Sequence, residues 1–143
     1  MESSRQIFYR GLFLVAAIYD VVLGIVFTFF GGWAFDLLGI RDKMPGGAYV
    51  PLLGAFLFVI GAAYFLIYRG DLYRNWDLIV VGALYKLAYS SIAFTFWAIG
   101  QIPHALFAVL FGVADVVFLV LMVECLIYLR AHPQGTGAPV RKA

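Results

Sequence analysis

Four ionisable side chains stand inside stretches of sequence that are otherwise apolar: Asp20, Lys86, Asp115 and Glu124. A charge at the centre of a membrane-spanning helix costs about 2.5–3.5 kcal/mol on insertion scales, so such residues persist where something offsets that cost. Carboxylates beside an ammonium can form ion pairs, retain a proton or bind a ligand. A cluster of Asp20, Lys86 and Asp115 would hold two carboxylates and one ammonium, a formal charge of −1. In a low dielectric that excess is expected to be relieved by a proton retained on one carboxylate. Tyr19, Tyr85, Tyr89 and Ser90 adjoin the three charges in sequence or on the same helix face and could supply hydrogen bonds. Two readings stay open here: a structural network that fixes helix register, or a proton- or ligand-binding site.

Other chemistries find no support. The two histidines, His104 and His132, fall on opposite sides of the membrane in the topology set out below, so they cannot share a haem or metal. The single cysteine, Cys125, lies in an apolar run; it can form no internal disulfide and reads as a packing residue. The chain has no HExxH, GxSxG or phosphate-cradling glycine loop. The sequence therefore nominates no catalytic residue, metal or cofactor. A net charge of +2, with no basic patch interleaved with aromatics, gives no sign of nucleic-acid binding.

The elements that must position these charges follow from composition. Hydrophobic residues make up 64% of the chain and charged residues 13%, whereas a soluble domain carries about 25% charged residues. A chain this short still has a large surface to cover, so its main solvent must be lipid. A spanning helix needs about 20 mostly apolar residues. Four stretches qualify: 7–30, 49–68, 78–99 and 104–129. The first is too long for the apolar core of a signal peptide and reads as a retained span. Pro51 and Pro103 sit where helices begin, Pro45-Gly46-Gly47 marks a turn, and short links imply antiparallel neighbours. The expected fold is an all-α integral membrane four-helix bundle within a single domain, 1–130. Trp33–Ile40 reads either as a short interfacial amphipathic segment or as a packed apolar loop. Residues 131–143, rich in proline and glycine, are expected to form a disordered cytoplasmic tail.

Orientation follows from basic residues. Arg5, Arg10, Arg69, Arg74, Arg130, Arg141 and Lys142 fall on one side, and only Arg41 and Lys43 on the other. That asymmetry predicts cytoplasmic N and C termini. Interface aromatics agree, with Tyr9, Tyr68, Tyr73, Trp76 and Tyr128 at the cytoplasmic ends.

Helical spacing says which charges can meet. Asp20 shares a face with Ala16, Ala17, Gly24, Thr28 and Gly31; Lys86 with Gly82, Ala83, Tyr89, Ser90 and Ala93; Asp115 with Ala108 and Gly112. The second span offers Gly54, Gly61 and Ala62. Small residues let helices approach closely, so these stripes point inward. At 1.5 Å per residue, Asp20 lies about 18 Å and Lys86 about 12 Å from the cytoplasmic ends of their helices, and Asp115 about 22 Å from Arg130. The three can therefore meet near mid-membrane. Glu124, nine residues on from Asp115, is turned half a circle away. It is expected to reach the cytoplasmic interface, or else to face another subunit.

Aromatics make up 18% of the chain, and Phe27, Phe29, Phe30, Phe94, Phe96 and Trp97 gather toward the outer half. They read as lipid-facing and belt residues, or as the lining of a pocket for a planar lipophile such as a quinone. The segments Tyr19-Asp20-Val21-Val22-Leu23-Gly24, Leu53-Gly54-Ala55-Phe56 and Gly82-Ala83-Leu84-Tyr85-Lys86, with an early Arg10-Gly11-Leu12, resemble the DoxX-like small bacterial inner-membrane proteins in a layout that covers all four spans. The resemblance implies a multi-pass protein of the bacterial inner membrane serving a redox enzyme as an accessory subunit; it transfers no catalytic residue. Small four-span multidrug exporters are also similar in carrying an acidic residue in span one and working as dimers, but Lys86 and Asp115 depart from their pattern. The leading expectation is a non-enzymatic membrane subunit with a buried Asp/Lys/Asp cluster, embedded in the lipid bilayer with a membrane-protein partner or as a homo-oligomer. The alternatives are a small proton-coupled transporter acting as an oligomer, and a quinone- or lipophile-binding subunit of a membrane redox enzyme.

Overall fold

The computed structural model describes residues 4–133, and every regular element among them is helical. In chain order these are α1 (Ser4–Phe29), α2 (Gly31–Leu37), α3 (Tyr49–Arg69), α4 (Trp76–Ala98), α5 (Ala105–Ala108) and α6 (Asp115–Ala131). A 3-10 turn, Arg41–Lys43, precedes α3, and a π-helical stretch, Val109–Ala114, joins α5 to α6. Four helical runs are long and apolar enough to cross a membrane: α1, α3, α4 and the continuous run Ala105–Ala131. The chain is a multi-pass membrane helical bundle. Its outward side chains are largely Val, Ile, Leu and Phe, as a surface solvated by lipid requires.

The helices outrun the apolar stretches, because backbone hydrogen bonding continues into polar turns at the membrane edge. α1 starts at Ser4 rather than residue 7, and α4 at Trp76 rather than residue 78. Asp77 in the first turn of α4 complements the positive end of the helix dipole. The fourth span begins at Ala105, where Nδ1 of His104 accepts a 3.1 Å hydrogen bond from the Leu106 amide. It runs to Ala131, which the sequence assigned to the tail; residues 134–143 of that tail lie outside the described residues. The segment expected at Trp33–Ile40 is the short helix α2, beginning two residues earlier at Gly31. It buries Phe35 under the bundle and exposes Trp33, and Gly39 ends the turn after it at a φ of 67°.

Two helix pairs make the bundle. α1 packs chiefly on α3, and α4 on α6. In the first pair the backbones touch at glycine. A Cβ on Gly24 would stand 2.6 Å from the Phe58 nitrogen; one on Gly54 would stand 2.7 Å from the Gly24 carbonyl oxygen. A Cβ on Gly61 would meet the Val21 nitrogen at 2.8 Å. The inward face of α3 is Gly54, Leu57, Gly61, Tyr64 and Ile67, while Ala62, expected to face inward, is exposed. Its spacing places it with the lipid-facing Phe58, Val59 and Phe65. The buried side chains form two layers. Tyr9, Phe13, Tyr64, Ile67, Ile79, Met122, Cys125 and Leu129 fill the end where α1 begins and α6 stops. Phe27, Phe35, Val50, Leu57, Ala93 and Phe111 fill the far end. Asp20, Lys86 and Asp115 are buried between them.

The glycine contacts set a test. Gly54→Val forces α1 and α3 apart and should lower stability in mild detergent by at least about 3 kcal/mol, the upper range for overpacking. Gly46→Ala, where a Cβ meets nothing within 4 Å, should change it by less than about 0.5 kcal/mol. Thermal unfolding followed by circular dichroism measures both; equal midpoints for the two variants would refute backbone contact as the basis of this pair.

Candidate functional site

The Lys86 ammonium is the centre of the site. Nζ donates to Asp20 Oδ1 at 2.9 Å, Asp20 Oδ2 at 2.8 Å and Asp115 Oδ1 at 2.8 Å. An ammonium has three protons, and three carboxylate oxygens surround it. The side chains of Lys86 and Asp20 are 0% exposed and that of Asp115 is 1% exposed. The structure thus brings together all three charges that helical spacing turned inward. They come from α1, α4 and α6, so one cation ties three spans at a single depth.

Aromatic rings close the cage. Nζ lies 5.3 Å from the Tyr19 ring centre, 5.7 Å from Tyr64, 5.4 Å from Tyr85 and 5.3 Å from Phe118. These residues belong to α1, α3, α4 and α6, so each of the four spans contributes one ring. A cation held over ring faces within about 6 Å gains electrostatic attraction from their quadrupoles, and more so when it is desolvated. Tyr64 and Phe118 were not singled out by sequence, yet both carry a signal. Tyr64 continues the Gly54–Leu57–Gly61 stripe at helical spacing, and Phe118 follows Asp115 by one turn.

The tyrosines serve differently from expectation. The Tyr19 hydroxyl donates to the Leu110 carbonyl at 2.8 Å, and that of Tyr64 to the Gly82 carbonyl at 3.1 Å; neither is spent on the charges. Leu110 lies in the π-helical stretch, where the wider turn leaves the carbonyl open to a side-chain donor. The Tyr85 hydroxyl is buried and bonds none of the three charges. The Tyr89 ring meets that of Tyr85 at a tilt of 36°, with 4.4 Å between ring centres, and stands one turn above the cluster. The Ser90 hydroxyl donates to the Lys86 carbonyl at 2.8 Å, bracing the helix and not the ions. Glu124 lies apart from the site on the exposed side of α6, where it accepts a 3.1 Å hydrogen bond from the Tyr9 hydroxyl. Arg5 sits over the Tyr128 ring nearby, at 5.8 Å.

These polar contacts share a location. Lys86–Asp20, Tyr64–Gly82, Tyr19–Leu110 and Tyr9–Glu124 all cross from the α1/α3 pair to the α4/α6 pair. The seam between the pairs is stitched by hydrogen bonds and ions, whereas the interior of the first pair is closed by backbone contact. In lipid, apolar surfaces gain little by leaving their solvent, and polar bonds and close packing carry association instead.

The outer aromatic group divides between the two readings that the sequence left open. Phe29, Phe30 and Trp97 are exposed, and Phe94 packs its ring against Gly112. Their periodicity places them on lipid-facing or pair-facing sides. Of the expected set, only Phe27 and Phe96 line a cavity at the far end.

No family model matches the chain, and neither a curated protein nor a solved structure matches it.

The caged ammonium makes a sharp energetic prediction. Lys86→Met leaves two carboxylates buried without a counter-ion and should destabilise the bundle by about 3–5 kcal/mol. Neutralising the carboxylates in the same chain, Asp20→Asn and Asp115→Asn with Lys86→Met, should restore part of that loss. Unfolding in a denaturing detergent titration gives both values. A single variant as stable as the wild type, or a triple variant weaker than the single, would contradict a cage whose stability rests on charge pairing.

Proposed function

We propose that this chain is a non-enzymatic accessory subunit of a larger complex in the bacterial inner membrane, with both termini in the cytoplasm. One observation carries the reading: the three buried charges spend their bonding on one another and are closed off by a ring from every span. A cation already holding three carboxylate oxygens has no proton left to offer a substrate, so the cluster suits a clamp that holds the bundle in register. The chemistry then belongs to a partner. The DoxX-like layout supports the same role, and the distribution of arginine and lysine supports the orientation. Glu124, exposed on α6, offers a polar group that a partner helix could meet.

A second reading has its own observation. Two carboxylates on one ammonium leave a formal charge of −1 inside the bundle, which suits a site that takes up and releases a proton in a small transporter acting as an oligomer.

Extraction of the protein from its native membrane in mild detergent, followed by mass and composition analysis, separates the two. The accessory reading expects a stoichiometric partner that co-purifies with the wild type, is lost or weakened in Glu124→Leu, and is kept in Tyr9→Phe, which breaks the same Tyr9–Glu124 bond but leaves the carboxylate in place. A wild type that emerges alone as a monomer or dimer ends that reading. The transporter reading expects vesicles containing the purified protein to carry protons across a pH gradient, and folded Asp115→Asn to carry none; wild-type vesicles that stay tight to protons end it.

A further inference from the structure

The far end of the bundle holds a cavity of about 480 Å³. It lies on the seam between the two helix pairs, one layer beyond the ion cage. Phe27, Val50, Tyr89, Ala93, Phe107 and Phe111 are among its walls. No charged side chain lines it among the described residues, and its polar side chains come from Tyr89 and Tyr49 and, at the loop edge, Gln101. A charged ligand therefore finds no counter-ion inside it. Ile92 and Phe96 of α4 and Tyr49 of α3 form its rim and are themselves exposed on lipid-facing sides. The mouth therefore opens sideways into the bilayer as well as toward the loops.

Size and shape narrow the occupant. Sites for small molecules run from about 300 to 1,000 Å³, so the cavity has room for a compact molecule of two or three rings. Phe107 and Phe111 lie 6.1 Å apart with planes 18° from parallel, and Phe27 and Phe107 lie 6.1 Å apart at 30°. Near-parallel rings favour a flat guest that can align with them. A flexible acyl chain would lose rotor entropy on entering the same space.

We propose that this cavity binds a neutral, flat-ring lipophile taken laterally from the membrane, with any single polar group turned toward Tyr89 and the Gln101 mouth. The ligand is held by aromatic surface and excluded from the ion cage by the Tyr85–Tyr89 pair, whose ring centres lie 4.4 Å apart. The inference does not depend on whether the chain serves a partner complex or moves protons.

Benzophenone is a suitable probe, being neutral, two-ringed and photoreactive toward C–H bonds. Photolysis with the wild-type protein in phosphatidylcholine vesicles, with adducts mapped by peptide mass spectrometry, should give saturable labelling concentrated in residues 49–53, 89–96 and 107–111. Filling the space with Ala93→Phe should reduce that labelling at least about tenfold, a change of 1.4 kcal/mol in binding, with the unfolding midpoint retained. Leu53→Trp serves the same purpose if Ala93→Phe does not fold, and the wild-type adduct map decides alone if neither does. Adducts spread evenly over Val59, Leu66 and Val120 would overturn the proposal. So would the converse selectivity: a phosphatidylcholine bearing a chain-end diazirine that labels the cavity residues in an Ala93-sensitive way while benzophenone does not, which would assign the space to a lipid tail.

Discussion

A desolvated ammonium with nowhere to go but its own carboxylates is the constraint from which the rest of this bundle follows. Lys86 cannot reach water, so its three protons must be met inside the protein, and Asp20 and Asp115 meet them. Meeting them fixes the depth and rotation of α1, α4 and α6 at once. A helix that slipped by one turn, about 5.4 Å, would strand a charge in hydrocarbon. Apolar packing against lipid offers no comparable penalty for slippage, since a leucine facing a neighbour and a leucine facing an acyl chain are nearly equivalent. The polar seam thus supplies specificity that an apolar seam would lack. The surrounding rings add to it, because Tyr64 brings α3, the one span without a charge in the cage, into the same arrangement.

Much of this was legible in the residues, and the physical reason is simple. Charges inside apolar runs are so costly that they advertise both their depth and their need for partners, and small-residue stripes then give the rotation of each helix. Asp20, Lys86 and Asp115 could be placed together on those grounds alone. What spacing could not convey was where each hydroxyl would go. A phenol beside a charge in sequence has several acceptors in reach, and Tyr19 and Tyr64 turned to carbonyls opened across the seam. The π-helical stretch was also invisible, because Val109–Ala114 differs in composition from no other apolar segment. The outer aromatics left two readings open, lipid belt or pocket lining, and spacing could not divide them: Phe29, Phe30 and Trp97 face outward, whereas Phe27 and Phe96 line the cavity at the far end.

The two halves of the bundle therefore differ in kind. Toward the end where α1 begins and α6 stops, the pairs are drawn together by Tyr9–Glu124, Tyr64–Gly82 and the ion cage. Beyond Tyr89 the seam carries an exposed loop bond, Lys43 Nζ to the Pro103 carbonyl at 3.4 Å, and the helices leave open space lined by phenylalanine. A tight half that holds the fold and a loose half that can receive a guest arise from one distribution of polar groups.

The cage also imposes an order on how the chain comes into being. Spans emerge in sequence, so Asp20 enters the bilayer first and waits without a counter-ion. α4 is the least apolar of the four spans and bears the cation, which makes it a poor candidate to partition into lipid unaided. Asp20 offers it a ready partner, so the first span can act as an internal escort for the third. The formal charge within the nascent bundle then passes from −1 to 0 and, as Asp115 arrives with the last span, back to −1. The ribosome thus delivers anion, cation and second anion in alternating sign, and each newcomer after the first finds its counter-ion already in the membrane.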